Sequence, residues 1–214
     1  MRDPRIEGVL RFYDRLLDED LEDARAVGWR SSQTQQRNFN ALAQIFAGET
    51  LPFSVYDVGC GLAGLHAFLK ESYPLAGYAG CDIHPGMIER ARRRRPAATI
   101  EERNILQNPP PEYDYVVASG TFSHLDISEQ AWSEYIREMM RAMFAIARRG
   151  MAIVFLSTLA EIQEPGDYHQ DPADILRFAQ AELSPLAEIR HAFSPWTFAI
   201  FVYRSSPAAM NGAG

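Results

Sequence analysis

A chain of 214 residues with 47 % hydrophobic and 23 % charged residues is long enough to bury one sizeable core and too short for a long multidomain array. The 21 Lys and Arg against 28 Asp and Glu give a net charge of −7, which repels polyanions and disfavours nonspecific nucleic-acid binding. An aromatic share of 11 % excludes a disordered or low-complexity chain.

Cys60 and Cys81 cannot build a disulfide framework, and no Cys-x-x-Cys pair offers a zinc or thiol-exchange site, so a reducing, cytoplasmic setting is expected. The N-terminus lacks the apolar core of a signal peptide. No window approaches the roughly 18 apolar residues of a membrane span, so no membrane association is expected.

From Arg5 to Asp23, Val9, Phe12, Tyr13, Leu16 and Leu17 recur at helical spacing and predict an amphipathic helix. After the loop that begins at Val27, Phe39, Leu42, Ala43 and Phe46 mark a second helix, which Gly48 ends. Residues 1–50 therefore read as a helical cap. From Phe53 onward, short apolar runs alternate with helical patterns, the sequence form of a doubly wound α/β fold with a parallel sheet. Strands are predicted at Phe53 to Val58, Gly77 to Cys81, Thr99 to Ile100, Tyr113 to Ala118 and Met151 to Leu156. Helices are predicted at Leu62 to Glu71, Pro85 to Arg95 and Ser128 to Ala147. Asp171-Pro172 starts a further helix to about Glu182, and Leu186 to Ala192 with Trp196 to Tyr203 form an antiparallel hairpin. Residues 51–204 thus form the main domain and 205–214 a flexible tail.

The segment Val55-Tyr-Asp-Val-Gly-Cys-Gly-Leu-Ala-Gly64 runs from a strand through a glycine turn into a helix. Gly59 and Gly61 let a ligand approach the backbone, and free N–H groups at the helix start favour an anionic group. Gly59, Gly61 and Gly64 also satisfy Gly-x-Gly-x-x-Gly, so the glycines alone leave the cofactor open. Asp57 narrows the choice, because a carboxylate at the strand end suits a ligand bearing an ammonium or sulfonium charge. Asp82, eighteen residues after Gly64, can accept hydrogen bonds from both ribose hydroxyls of an adenosine.

On these residues the sequence resembles the class I S-adenosylmethionine-dependent methyltransferases, whose first motif is an acidic residue, x, Gly, x, Gly. Ala63 stands where a third glycine is common. Asp82 with Pro85, Met87, Ile88 and Ala91 looks like the second motif. The resemblance covers about Phe53 to Arg204 and implies a Rossmann-like seven-stranded sheet with a reversed terminal hairpin. It implies S-adenosyl-L-methionine as donor and S-adenosyl-L-homocysteine as product, held by Asp57, Gly59, Cys60, Gly61, Asp82, Ile83, Asn104, Ile105, Ser119 and Gly120. Asn104 sits where many members have Asp to accept the adenine amino group. Trp29 and Arg37 either close the donor site or merely dock the cap. Thr121, Tyr168 and His169 are candidates for the acceptor pocket, and His124, in the loop after the fourth strand, is a candidate general base or a solvated loop residue.

Other features have plainer readings. Arg90 and Arg92 to Arg95 finish a helix whose C-terminal dipole favours cations. The carboxylates between Glu161 and Asp171 match no metal-ligand motif, so no metal is expected. The expected activity is methyl transfer to a small-molecule metabolite or biosynthetic intermediate. The rivals are a noncatalytic S-adenosylmethionine-binding protein and a nicotinamide oxidoreductase.

Overall fold

A computed structural model describes residues 3–19, 21 and 23–206. A short 3-10 turn, Pro4–Ile6, leads into α1 (Glu7–Asp18), followed by α2 (Asp23–Ala26), α3 (Ser32–Leu42) and a 3-10 turn over Ala43–Phe46. The main fold continues with β1 (Phe53–Val58), α4 (Gly64–Ser72), β2 (Leu75–Asp82), α5 (Pro85–Arg94), β3 (Thr99–Glu102), β4 (Tyr113–Ser119) and α6 (Glu129–Ala145). It ends with β5 (Ala147–Ser157), β6 (His169–Gln170), α7 (Pro172–Glu182), β7 (Ala187–Arg190) and β8 (Thr197–Tyr203).

Seven strands run in the order β3-β2-β1-β4-β5-β8-β7, and β6 pairs with β5 beside this path. The pairs β3/β2, β2/β1, β1/β4 and β4/β5 are parallel, whereas β8 is antiparallel to both β5 and β7. The terminal hairpin is therefore reversed, as expected. Chain direction around the sheet switches between β1 and β4, and such a switch leaves a crevice outside the carboxyl ends of the strands, where ligands bind in open α/β sheets.

The predicted first helix is shorter than its apolar rhythm suggests. It stops at Asp18, and Glu19 is extended (φ −85°, ψ 143°), because carboxylates at a helix C-terminus oppose the macrodipole. The two-residue β6 carries no periodicity and was not foreseen. Of the expected tail, residues 207–214 lie outside the described residues.

The helical segment shares its cores with the sheet. Ile6 and Val9 join the apolar cluster on one sheet face, and Phe39, Leu42 and Phe46 join the cluster on the other. Phe46 stacks on Phe53 (4.8 Å between ring centroids) and meets Tyr115 edge-on at 5.0 Å. The arginines that finish α5 serve the fold: Arg92 donates to the Ile100 carbonyl, Arg94 pairs with Asp23 at 2.9 Å, and Arg90 donates to the Leu17 carbonyl. Among the described residues no helix is long and apolar enough to cross a membrane.

Because the Phe46 ring joins cap to sheet inside a packed aromatic cluster, Phe46→Ala is expected to cost about 3–5 kcal/mol of stability in urea unfolding. A loss under about 1 kcal/mol would mean that the cap is anchored elsewhere.

Candidate functional site

The turn after β1 is built around backbone that side chains would obstruct. Gly59 has φ +70°, and a Cβ there would meet Thr121 Cγ2 at 2.4 Å. Thr121 in turn donates its hydroxyl to the Val58 carbonyl at 2.8 Å, which locks the loop after β4 against the end of β1. At the position where a third glycine is common, Ala63 adopts the same left-handed conformation, φ +55°, so the loop keeps its turn without that glycine. Gly64 then opens α4.

Two buried carboxylates flank the turn. Asp57 accepts a hydrogen bond from the Tyr78 hydroxyl at 2.7 Å. Asp82 accepts from the backbone N–H groups of Gly61 and His84, each at 2.9 Å. Burial pushes the Asp57 carboxyl from the ordinary 3.8 up to about 7; the Tyr78 bond opposes the rise and the neighbouring Asp82 charge adds to it. Burial also raises Asp82, against the pull of its backbone donors. Burial likewise raises the Cys60 thiol, which keeps it protonated and inert as a nucleophile.

These groups border a cavity of about 480 Å³, whose walls include Asp57, Gly59, Cys60, Gly61, Asp82, Ile83, Ser119, Gly120 and Thr121. The cap closes it with Val9, Tyr13, Val27, Trp29, Gln36 and Phe39. A contiguous niche of about 40 Å³ adds Asn104 and Ile105 and shares Gly59, Asp82, Ile83 and Thr121. Asn104 Oδ1 already accepts the Leu106 N–H at 3.0 Å and retains one lone pair. A second cavity, about 340 Å³, lies on the other side of Trp29 and includes Phe12, Arg37, Ser123, His124, Asp167 and His169. Trp29 and Gly120 border both cavities. Gly120 has φ +76°, and a Cβ there would lie 2.9 Å from the Trp29 ring, so glycine is what lets the indole rest on the partition.

Most residues expected at the donor site come together in the first cavity and its niche. Arg37 does not: it borders the second cavity, because α3 turns Gln36 and Phe39 toward the first cavity and Arg37 away from it. Thr121, expected at the acceptor, lies on the donor side, held by its bond to Val58. Tyr168 is buried in the apolar cluster with its hydroxyl against Gln170 at 3.2 Å and borders neither cavity, so the expectation that it touches substrate is corrected. The alternation of a β-bridge accounts for this, since Asp167 and His169 face one side and Tyr168 the other. His84 borders the first cavity and is also tied into the fold: its Nδ1 accepts the Met87 N–H that caps α5, and its Nε2 meets Asp14 of α1 at 3.1 Å. Tyr78, Tyr13, Phe12 and Asp167 were missed. Tyr13 and Phe12 read only as one face of a helix, and nothing in the β2 sequence shows that Tyr78 reaches Asp57.

Residues 56–150 match the family model described as a methyltransferase domain. Rv1506c of Mycobacterium tuberculosis, which bears a methyltransferase name, is 27 % identical over 158 residues, covering 72 % of this chain and 95 % of that protein. A malonyl-[acyl-carrier protein] O-methyltransferase of Anoxybacillus flavithermus is 30 % identical over 138 residues, covering 61 % of this chain, and the chain spans about half (51 %) of that relative's length. The N-methyltransferase NodS of Bradyrhizobium japonicum, solved with S-adenosyl-L-homocysteine, has the same fold, with a TM-score of 0.68, 13 % identity and coverage of 94 % of this chain and 100 % of that one. Sheet order, glycine turn and paired carboxylates define a nucleoside-binding α/β domain of the methyltransferase type. Residues 56–150 are thus matched as a methyltransferase domain, and the chain shares the fold of methyltransferases solved with S-adenosylmethionine or S-adenosylhomocysteine.

The residues present fit that cofactor. Two buried carboxylates stand at the cavity, and Ser119 has a buried hydroxyl with no partner. This donor set suits a ligand carrying cationic groups and hydroxyls.

The raised Asp57 pKa carries a stability signature. The folded chain keeps a proton that the unfolded chain loses above 3.8, so the stability this group confers is present at low pH and is lost as pH rises through about 7. Asp57→Asn preserves an acceptor for Tyr78 and removes the titration. The melting temperature of the ligand-free variant is therefore expected to gain on the wild type between pH 5 and pH 8. A difference that does not change with pH would show that Asp57 ionises normally.

Proposed function

We propose that this chain transfers the methyl group of S-adenosylmethionine to a small-molecule acceptor held in the second cavity. The observation that carries this reading is the pair of cavities meeting at Trp29 and Gly120, beside the carboxyl ends of β1 and β4. A cavity of about 340 Å³ next to the donor side favours transfer over passive sensing of the cofactor. The net charge of −7 favours a metabolite or biosynthetic intermediate over a nucleic-acid acceptor. Two buried free cysteines suit a reducing, cytoplasmic compartment.

When bound, S-adenosylmethionine supplies a methyl group already activated by sulfonium. The chain's contribution is then orientation and exclusion of water. Asp82 would hold the ribose hydroxyls, and Asn104 with Ile83 and Ile105 would line the adenine niche. Asp57 would face the cationic end. Residues 1–50 would act as the cap, and Trp29 would shield the line between donor and acceptor.

Calorimetric titration with S-adenosylmethionine, S-adenosylhomocysteine and NADH tests this reading. Binding of the first two without the third is expected, and Asp82→Ala is expected to weaken both by more than tenfold, roughly 1.4 kcal/mol. Binding of NADH alone, or unchanged donor affinity in Asp82→Ala, would overturn the assignment.

A further inference from the structure

The loop after β4 and the segment before β6 are stitched together by two backbone hydrogen bonds. Leu125 N–H donates to the Gly166 carbonyl at 2.8 Å, and Tyr168 N–H donates to the Ser123 carbonyl at 2.7 Å. His124 and Asp167 are the directly opposed residues of this isolated antiparallel bridge. The bonds flank the pair rather than join it, which is the arrangement that brings opposed side chains closest, with Cα atoms about 4.5 Å apart and Cβ atoms on one face. Both residues border the second cavity.

The His124 imidazole lies flat on the Phe12 ring, 4.2 Å between centroids and 17° between planes, which leaves its nitrogen edge available. Among the described residues Asp167, though half-buried, has no ion pair or side-chain hydrogen bond. The nearby acid Glu164 is instead paired with Arg30 at 2.9 Å. The Asp167 carboxylate and the His124 imidazole thus face one another across the bridge at the wall of a cavity beside the donor side, with no side-chain hydrogen bond joining them.

We propose that His124 is the proton acceptor of the second cavity and Asp167 its positioning residue, so that the acceptor molecule attacks through a hydroxyl or N–H group. This rests on the methyl-transfer reading above. As the acceptor oxygen or nitrogen forms its bond to the methyl carbon, the carbon–sulfur bond breaks and its electron pair stays on sulfur as the thioether of S-adenosylhomocysteine. The acceptor's proton passes to a ring nitrogen of His124, and Asp167 steadies the resulting imidazolium before the proton leaves to solvent. A thioether or carboxylate nucleophile, which has no proton to lose, would have no use for this pair.

The charges around the pair agree with a base. Burial lowers His124 below its usual range; Arg15 of α1 lowers it further, while Asp126 and Asp167 oppose the fall. His124 is therefore neutral and able to take a proton near pH 7. Around Asp167, burial and Glu164 raise the carboxyl, while His169, His124 and Arg30 lower it. Tyr13 of α1, also at this cavity, is raised by burial and by Asp82 and Asp167, and stays protonated.

The test is the imidazole titration of His124, followed by NMR in protein saturated with S-adenosylhomocysteine. In Asp167→Asn the midpoint is expected to fall, and in Asp167→Glu to recover. Calorimetric affinity for S-adenosylhomocysteine should be the same in both variants. A His124 midpoint unmoved by Asp167→Asn would overturn the pairing. Label from methyl-labelled donor appearing only on benzoate or thioanisole, which have no proton to give up near pH 7, and not on phenol or aniline, would overturn the protic acceptor. Failure of S-adenosylhomocysteine to bind the wild type would instead count against the methyl-transfer reading itself.

Discussion

The arrangement depends on holding two carboxylates out of water at the head of one glycine turn. Removing a carboxylate from solvent is costly unless hydrogen bonds or an opposite charge offset it. Asp82 receives two backbone N–H groups, and those bonds fix the register of the turn against the end of β2. Asp57 has a single phenolic donor, Tyr78, and its carboxyl stays raised to about 7. The two acids are thus unequal: one is an element of the turn, and the other is a group in want of positive charge. A ligand with both a ribose and a cationic end meets both needs. The same burial that weakens the ligand-free fold at neutral pH therefore builds selectivity into the site.

The cap belongs to the same constraint. If α1 and α3 were a separate module, the crevice at the sheet edge would be open, and water would reach both carboxylates. Instead Ile6 and Val9 enter one apolar cluster and Phe39, Leu42 and Phe46 the other, so closing the cavity and completing the core are one event. Trp29 shows the economy of this. It sits on Gly120, at the only kind of residue that leaves room for an indole there, and so becomes a wall for both cavities.

The donor side was legible because its determinants lie close together in sequence. Asp57, Gly59, Gly61 and Asp82 belong to one strand–turn–helix–strand unit, where each position has a local physical reason. The parallel sheet followed from alternating apolar runs and the antiparallel hairpin from two strands with no helix between them, while the reversed placement of that hairpin came from the family resemblance. The acceptor side was not legible, since its walls come from α1, α3, the loop after β4, the segment before β6 and the β7–β8 turn. No local pattern joins His124 to Asp167; a short bridge between distant loops does. Arg37 and Tyr168 went astray for the same reason. Their roles turn on which way one residue of a helix or bridge faces, and a single step along the chain reverses that.

Strength is also divided between the two sides. The donor site rests on parallel strands and backbone hydrogen bonds, with the Phe46 cluster behind it. Over the acceptor cavity, the cap is tied to the loops by Arg30–Glu164, and nearby by Arg11–Asp126, both exposed at 2.9 Å. Exposed pairs of this kind contribute about 0–1 kcal/mol and are screened by salt. The cap is held there also by the Phe12 ring of α1, which stacks on His124 at 4.2 Å, so salt is expected to loosen only part of this edge. The walls of the second cavity, built largely on loops, are free to differ in sequence, while the turn around Gly59 is held to one shape by Thr121.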